Sequence, residues 1–227
     1  MPLRSIPANE YRRERWRNGL GWTREIARSD MRSDDWDWRL SIAEVDSDCA
    51  FSAFPGCDRV LLLLTGNGME LAFDDGEVST VEPPHGRIAF AGERSLQCRL
   101  LDGATTDFNA MARRDRCTMQ VFHRPLVGSM VFFAEAGVVW AIHLIGGRAT
   151  IKSAEEAMTL NAGDTALFDA SSDGTTTRAI LDGGGDLILV KIQRDASSSR
   201  NRLFNSRRRL GCHWPLFDPM LPFGTDH

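Results

Sequence analysis

Three stretches of this chain recur in order at a single spacing, and that periodicity limits the fold more than any one motif. RVLLLLTGNGMELAF, from Arg59, matches VVWAIHLIGGRATI, from Val138: an apolar strand, a glycine turn and a second strand. STVEPPHGRIAFAGE, from Ser79, lines up with AMTLNAGDTALFDAS, from Ala157. RLLDG, from Arg99, then lines up with AILDG, from Ala179. One match would carry little weight. Three in order at an offset of roughly 80 residues point to a duplicated module.

Each copy reads as β-structure. WRLSIAEV (Trp38 to Val45), RVLLLLT, MELAF, RIAF and LQCRLL are short, apolar and separated by Gly, Asp and Pro. LLLLTGNGMEL reads as a hairpin, because Gly-Asn-Gly supplies the positive φ values that tight turns need. Only ANEYRRERW near the start and SAEEAM (Ser153 to Met158) look helical. The expected fold is therefore all-β. A unit of this size with short, turn-bounded strands suits a small jelly roll, so two tandem cupin-type β-barrels are expected. They would occupy residues 1–115 and 116–195. Residues 196–227 are rich in Ser, Arg and Pro and read as a tail or extended arm.

Composition excludes several classes of function. Of 227 residues, 42% are hydrophobic, enough for a packed core. No apolar run reaches the roughly 18 residues of a membrane span, and MPLRSIPANEYRRERW lacks the apolar centre of a signal peptide. Cys49, Cys57, Cys98, Cys117 and Cys212 are odd in number and widely spaced, which fits a reducing cytoplasm. A net charge of −4 argues against a nucleic-acid binder, which needs a concentrated basic surface. Nearly all the basic charge is arginine, with Lys152 and Lys191 the only lysines. That bias reflects composition, so an arginine's role has to be argued from its position.

The stretch WRNGLGWTREI, from Trp16, is too glycine-rich for a helix and too polar for a core strand. It is followed in order by WRLSIA, FSAFPGCDR and DFNAM. This succession resembles the HutD/Ves family of bacterial bicupin proteins over about residues 10 to 195. The resemblance implies a bicupin fold, metal-free members and a link to the control of histidine-utilisation genes without direct repression at DNA. The chain departs from the family pattern at Leu20, where a third glycine is common, and at Ala91-Gly92-Glu93, where Gly-Asp is expected.

Read from the side chains, catalytic metal is not expected. No two of His85, His123, His143, His213 and His227 are separated by one residue, and a metal site needs three or four ligands. His143, within WAIHLI, reads as a hydrogen-bonded structural residue. No nucleophile motif is present. What remains is a polar set in the first half. Alternation in WRLSIAEV places Arg39, Ser41 and Ala43 on one face and Trp38, Leu40 and Ile42 on the other, without saying which is inside. Arg24, Arg39 and Arg59 could receive a carboxylate through paired charge-assisted hydrogen bonds. Asn18, Thr23 and Asn109 would supply neutral ones. Alternatively, Glu25, Glu44, Asp58 and Asp107 satisfy these arginines internally. Asn18-Gly19-Leu20-Gly21 is expected to be a turn leading into a strand across a barrel mouth, with exposed N–H groups available to an anion. Trp22, Trp38 or Phe108 could stack on an aromatic ligand.

The expected function is that of a small-molecule-binding regulatory factor of histidine utilisation. Its ligand would be a small carboxylate such as urocanate or a formyl- or formimino-glutamate-type intermediate, with no cofactor and no contact with nucleic acid or membrane. A homodimer is left open. The alternative is a metal-free isomerase or hydrolase acting on such an intermediate, with no catalytic residue identified; Glu25 or Asp107 could serve if desolvated.

Overall fold

The computed structural model describes residues 3–16, 19–32, 34–170 and 174–195. Within them the chain forms sixteen strands, one short 3-10 turn (Ala8–Glu10) and no α-helix. The first half contains β1 (Leu3–Ile6), β2 (Arg12–Arg15), β3 (Gly21–Arg28), β4 (Trp38–Val45), β5 (Cys49–Phe51), β6 (Cys57–Thr65), β7 (Met69–Phe73), β8 (Val78–Val81), β9 (Arg87–Ala91), β10 (Leu96–Leu100) and β11 (Thr105–Arg113). The second contains β12 (Cys117–Ala134), β13 (Val138–Lys152), β14 (Ala157–Asn161), β15 (Thr165–Asp169) and β16 (Thr177–Arg194).

The two halves share one plan. In the first, β2-β3-β4-β11-β6-β9 form one sheet and β5-β10-β7-β8 a second. In the second, β1-β15-β13-β16-β12 form a sheet from which β14 pairs with β13. Each long strand of the second half does the work of two strands in the first. The start of β13 pairs with β15 and its end with β14, as β6 pairs with β9 and β7 with β8. Likewise β12 runs along the whole of β16, where β4 pairs with β11 and β5 with β10. These are tandem jelly-roll modules of the cupin type.

Gly66-Asn67-Gly68 does not close a hairpin. β6 and β7 lie in different sheets, and the positive φ of Gly66 (97°) and Gly68 (106°) turns the chain from one sheet to the other. Both helical expectations also fail. ANEYRRERW continues beyond its 3-10 turn into the exposed edge strand β2, and SAEEAM is a turn leading into β14. Pairing with β3 and β13 overrides the local preference of these charged segments for helix.

Three large apolar clusters, with a small fourth around Trp36, Cys57 and Met111, hold the described residues together. Leu61, Leu63, Met69, Leu71 and Phe73 fill the first module, and Ile142, Leu144, Ile151, Phe168 and Leu181 fill the second. Leu40, Ile42, Leu62 and Phe108 of the first module pack against Val139, Ala141, Leu167, Ile188 and Val190 of the second. Each fully buried aliphatic side chain contributes roughly 1.5–3 kcal/mol, so the junction is a core in its own right. The chain through Asp195 forms one compact unit. Within it β1 pairs with β15 of the second module.

Candidate functional site

WRNGLGWTREI builds a wall. β2 and β3 pair from Arg12–Glu25 to Arg15–Trp22. At their junction Trp16 N–H donates to Gly21 O at 3.0 Å, and Gly19 N–H donates to Trp16 O at 3.0 Å. A side chain on Gly21 would collide with the Glu44 carbonyl and lie 3.0 Å from the Trp16 ring. Glycine there lets the indole lie against β3, where Trp16 Nε1 donates to Thr23 Oγ1 at 2.8 Å. The far edge of the ring meets Phe51 at 6.1 Å between centroids. The Gly19 N–H expected to face an anion is used within the turn.

Behind this hairpin lies a cavity of about 620 Å³. Arg39, Ser41 and Ala43 of β4 line it, while Trp38, Leu40 and Ile42 on the opposite face are buried in the junction between modules. The polar face of WRLSIAEV is thus the inner one. Apolar packing is available on the other side, so the strand can aim its polar residues inward.

The floor is a buried polar chain. Arg59, 5% exposed, donates from Nη2 to Asn109 Oδ1 at 2.8 Å and from Nη1 to Ser52 O at 3.2 Å. Asn109 Nδ2 in turn donates to Asp107 Oδ1. Phe90, Phe54 and Phe51 frame the guanidinium, with ring centroids 5.0, 5.3 and 5.9 Å from its central carbon. Burial pushes the Asp107 carboxyl up to about 7, against the pull of Arg59 and of the Asn109 hydrogen bond. Burial also lowers the Arg59 guanidinium to about 10, leaving it protonated at neutral pH. Asp107 Oδ2 and Arg59 Nε have no hydrogen-bond partner. Arg39 is neutralised differently, donating from Nε to the buried Glu25 carboxylate at 2.6 Å.

Of the residues singled out in the sequence, Thr23, Arg39, Arg59 and Asn109 line this cavity. Arg24 does not. It points to the other side of β3, where its Nε lies 2.8 Å from Glu44 Oε1. Asn18 lies outside the described residues. Trp38 and Phe108 are buried in the junction, and Trp22 stacks under Arg13 at 4.1 Å, so none of the three faces the cavity. Its aromatic walls are Trp16, Phe51 and Phe54. The side-chain reading passed over them, although Trp16 opens the WRNGLG motif and both phenylalanines lie in FSAFPG.

Among the described residues, the cavity walls carry Arg, Ser, Thr and Asn donors and one carboxylate, Glu14, but no histidine or cysteine. That donor set suits an anion and does not fit a transition metal. His143 is buried, with Nδ1 2.9 Å from Thr165 Oγ1. Cys49, Cys57, Cys98 and Cys117 are all buried free thiols whose pKa burial raises. Elsewhere the fold does gather His85, His123 and Asp186, which no spacing in the sequence announces.

Fold and site together define a bicupin whose first module encloses an arginine-floored cavity. A cupin barrel protein from Leptotrichia buccalis shares the fold, with a TM-score of 0.53 at 10% identity over 85% of this chain and 96% of that one. The HutD family model matches residues 8–189, and the chain belongs to that family. HutD from Pseudomonas fluorescens SBW25, solved in a formate condition, superposes with a TM-score of 0.71 at 28% identity, covering 86% of this chain and all of that one. An uncharacterised 21.2 kDa protein encoded in the hutC 3′ region of Pseudomonas putida is 40% identical over 123 residues. That match covers 53% of this chain and 64% of the relative; bacterial Ves proteins are matched over similarly partial spans of their length. The family is thereby linked to the histidine-utilisation region.

Proposed function

We propose that the first-module cavity binds a small carboxylate and that the protein acts in histidine utilisation as a metabolite-binding regulatory factor that makes no direct contact with DNA. The supporting observation is the Arg59–Asn109 floor: a buried, charged guanidinium with spare donors, presented at the end of an aromatic-walled cavity. One charge-assisted contact contributes about 1.5–3 kcal/mol, and millimolar affinity requires about 4 kcal/mol. A formate-sized anion on Arg59 and Asn109 is therefore held weakly. Urocanate or a formyl- or formimino-glutamate adds apolar contact with Trp16, Phe51 and Phe54. The relative solved in a formate condition fits this chemistry. Titration calorimetry with formate, urocanate and N-formylglutamate tests the reading. Binding that Asn109→Ala weakens at least tenfold supports it; equal heats for parent and variant place the ligand elsewhere.

A second reading, a metal-free isomerase or hydrolase, draws on Asp107, whose desolvated carboxyl lies behind the cavity wall and would act on a bound substrate only through the Asn109–Arg59 relay. Turnover of urocanate-pathway intermediates by purified protein, abolished by Asp107→Asn, is its signature.

A further inference from the structure

The sequence argues against a metal on spacing alone, but the junction between modules assembles a donor set that spacing does not reveal. His85 sits in the turn between β8 and β9 of the first module, whereas His123 on β12 and Asp186 on β16 belong to the second. One ligand atom from each falls within 4.8 Å of the others, and all three side chains are partly buried. We propose that His85, His123 and Asp186 form a divalent transition-metal site that clamps the two modules together.

The geometry needs little adjustment. Two ligands about 2.1 Å from a tetrahedral ion lie roughly 3.4 Å apart. His123 Nε2 is 3.6 Å from Asp186 Oδ1, so one edge of the polyhedron is already close to that length. The register explains the match. His123 stands opposite Ile188, and Asp186, two residues before Ile188, lies on the same face of β16. His85 is brought in by its own turn, which holds it at a φ of 58° beside Gly86. Its Nδ1 faces the Leu63 carbonyl at 3.3 Å. A proton on Nδ1 donated to that oxygen leaves Nε2 with the free lone pair, the arrangement that fixes a metal-binding imidazole.

Beyond the Asp186 contact and the Leu63 carbonyl, the cluster leaves donor atoms unused. His123 Nε2 is buried and has no hydrogen-bond partner, and the two imidazole centroids are 4.2 Å apart. Two neutral imidazoles and one carboxylate are the donors that zinc, nickel, copper and iron accept, while magnesium and calcium favour all-oxygen sites. Partial exposure of Asp186 leaves room for water to complete the coordination shell. This site is separate from the anion cavity, none of whose lining residues it uses.

The test is zinc titration of the chelator-stripped full chain by calorimetry at neutral pH, with binding stoichiometry checked by elemental analysis after dialysis. One equivalent is expected at micromolar or better affinity. His123→Gln and Asp186→Asn, verified as folded by circular dichroism, should each weaken that equivalent at least tenfold. Zinc should also raise the unfolding temperature of the parent and not of His123→Gln, because a ligand bound only to the folded chain stabilises it. No uptake at 100-fold molar excess overturns the proposal. So does uptake that both variants retain, which would assign the metal to other residues.

Discussion

Replacing Asp107 by Asn tests the buried polar chain most directly, because the carboxyl titrates far from its usual range. Burial raises it from 3.8 to about 7. For an acid shifted upward, the folded state holds a proton that the unfolded state has lost, so stability present below 3.8 disappears as pH rises toward 7. The loss is about 1.4 kcal/mol per pH unit across that window, on the order of 4 kcal/mol in all. His143 works in the opposite direction. Burial lowers it from 6.5 to about 4, so its contribution is present above 6.5 and lost as pH falls toward 4. Between pH 4 and 6.5 the two slopes offset each other, and the parent profile should be nearly flat there as far as these two groups are concerned. Asp107→Asn keeps the shape of the protonated acid and removes the titration. Urea unfolding of parent and variant from pH 4.5 to 8 isolates the effect, since His143 cancels in the difference. The variant's advantage should grow by about 1.4 kcal/mol per pH unit up to pH 7 and then level off. A difference that stays constant with pH would refute the claim that Asp107 is buried and neutral in mildly acidic solution.

The same proton should govern the ligand. Ionised Asp107 cancels the Arg59 charge, so carboxylate affinity should rise as pH falls from 8 to 6, measured by calorimetry, and Asp107→Asn should remove that dependence. Arg24→Ala should leave the affinity within about twofold while Asn109→Ala loses tenfold or more, because Arg24 pairs with Glu44 of β4 on the side of the sheet away from the cavity and a charge-assisted contact accounts for about 1.5–3 kcal/mol. Gly21→Ala should cost about 1–3 kcal/mol of stability through overpacking against Glu44 and Trp16, with a shift in tryptophan fluorescence as the indole is displaced.

The duplication was legible because both copies keep their turns and strand-ending phenylalanines nearly in step; Phe90 and Phe168 lie opposite Arg59 and Trp140, two residues off the match of Arg59 with Val138 read from the sequence. Gly-Asn-Gly was misread because its chemistry permits a sharp turn without saying which strands the turn joins. A hairpin and a crossover between sheets make the same demand on φ. The inner face of β4 was undecidable from alternation, since both of its faces are buried, one in the junction and one around the cavity. Arg59 and Asn109 could be named because polar residues within apolar strands stand out. Arg24 could not be separated from them, because its partner Glu44 comes from the next strand, twenty positions on. His85, His123 and Asp186 come from three separate elements and share no local pattern.

The second module serves as an internal control for the first. Asn109 stands opposite Leu61 and Asp107 opposite Leu63; in the second module the residues opposite Ile142 and Leu144 are Leu189 and Leu187. Arg59, opposite Phe90, corresponds to Trp140, opposite Phe168. One jelly-roll plan therefore accepts either Arg, Asp and Asn at these three places or Trp and two leucines. The apolar set joins a continuous core. The polar set leaves Asp107 Oδ2 and Arg59 Nε without partners, and a buried unsatisfied group costs roughly 1–3 kcal/mol. The fold does not require that cost, because its own second copy avoids it. Asp107 never reaches the cavity wall, so its effect on a ligand runs through Asn109 and Arg59. On the proposed reading, a charge buried beside an open cavity and offset by an acid that takes up a proton near neutrality would bind an anion and take up a proton with it.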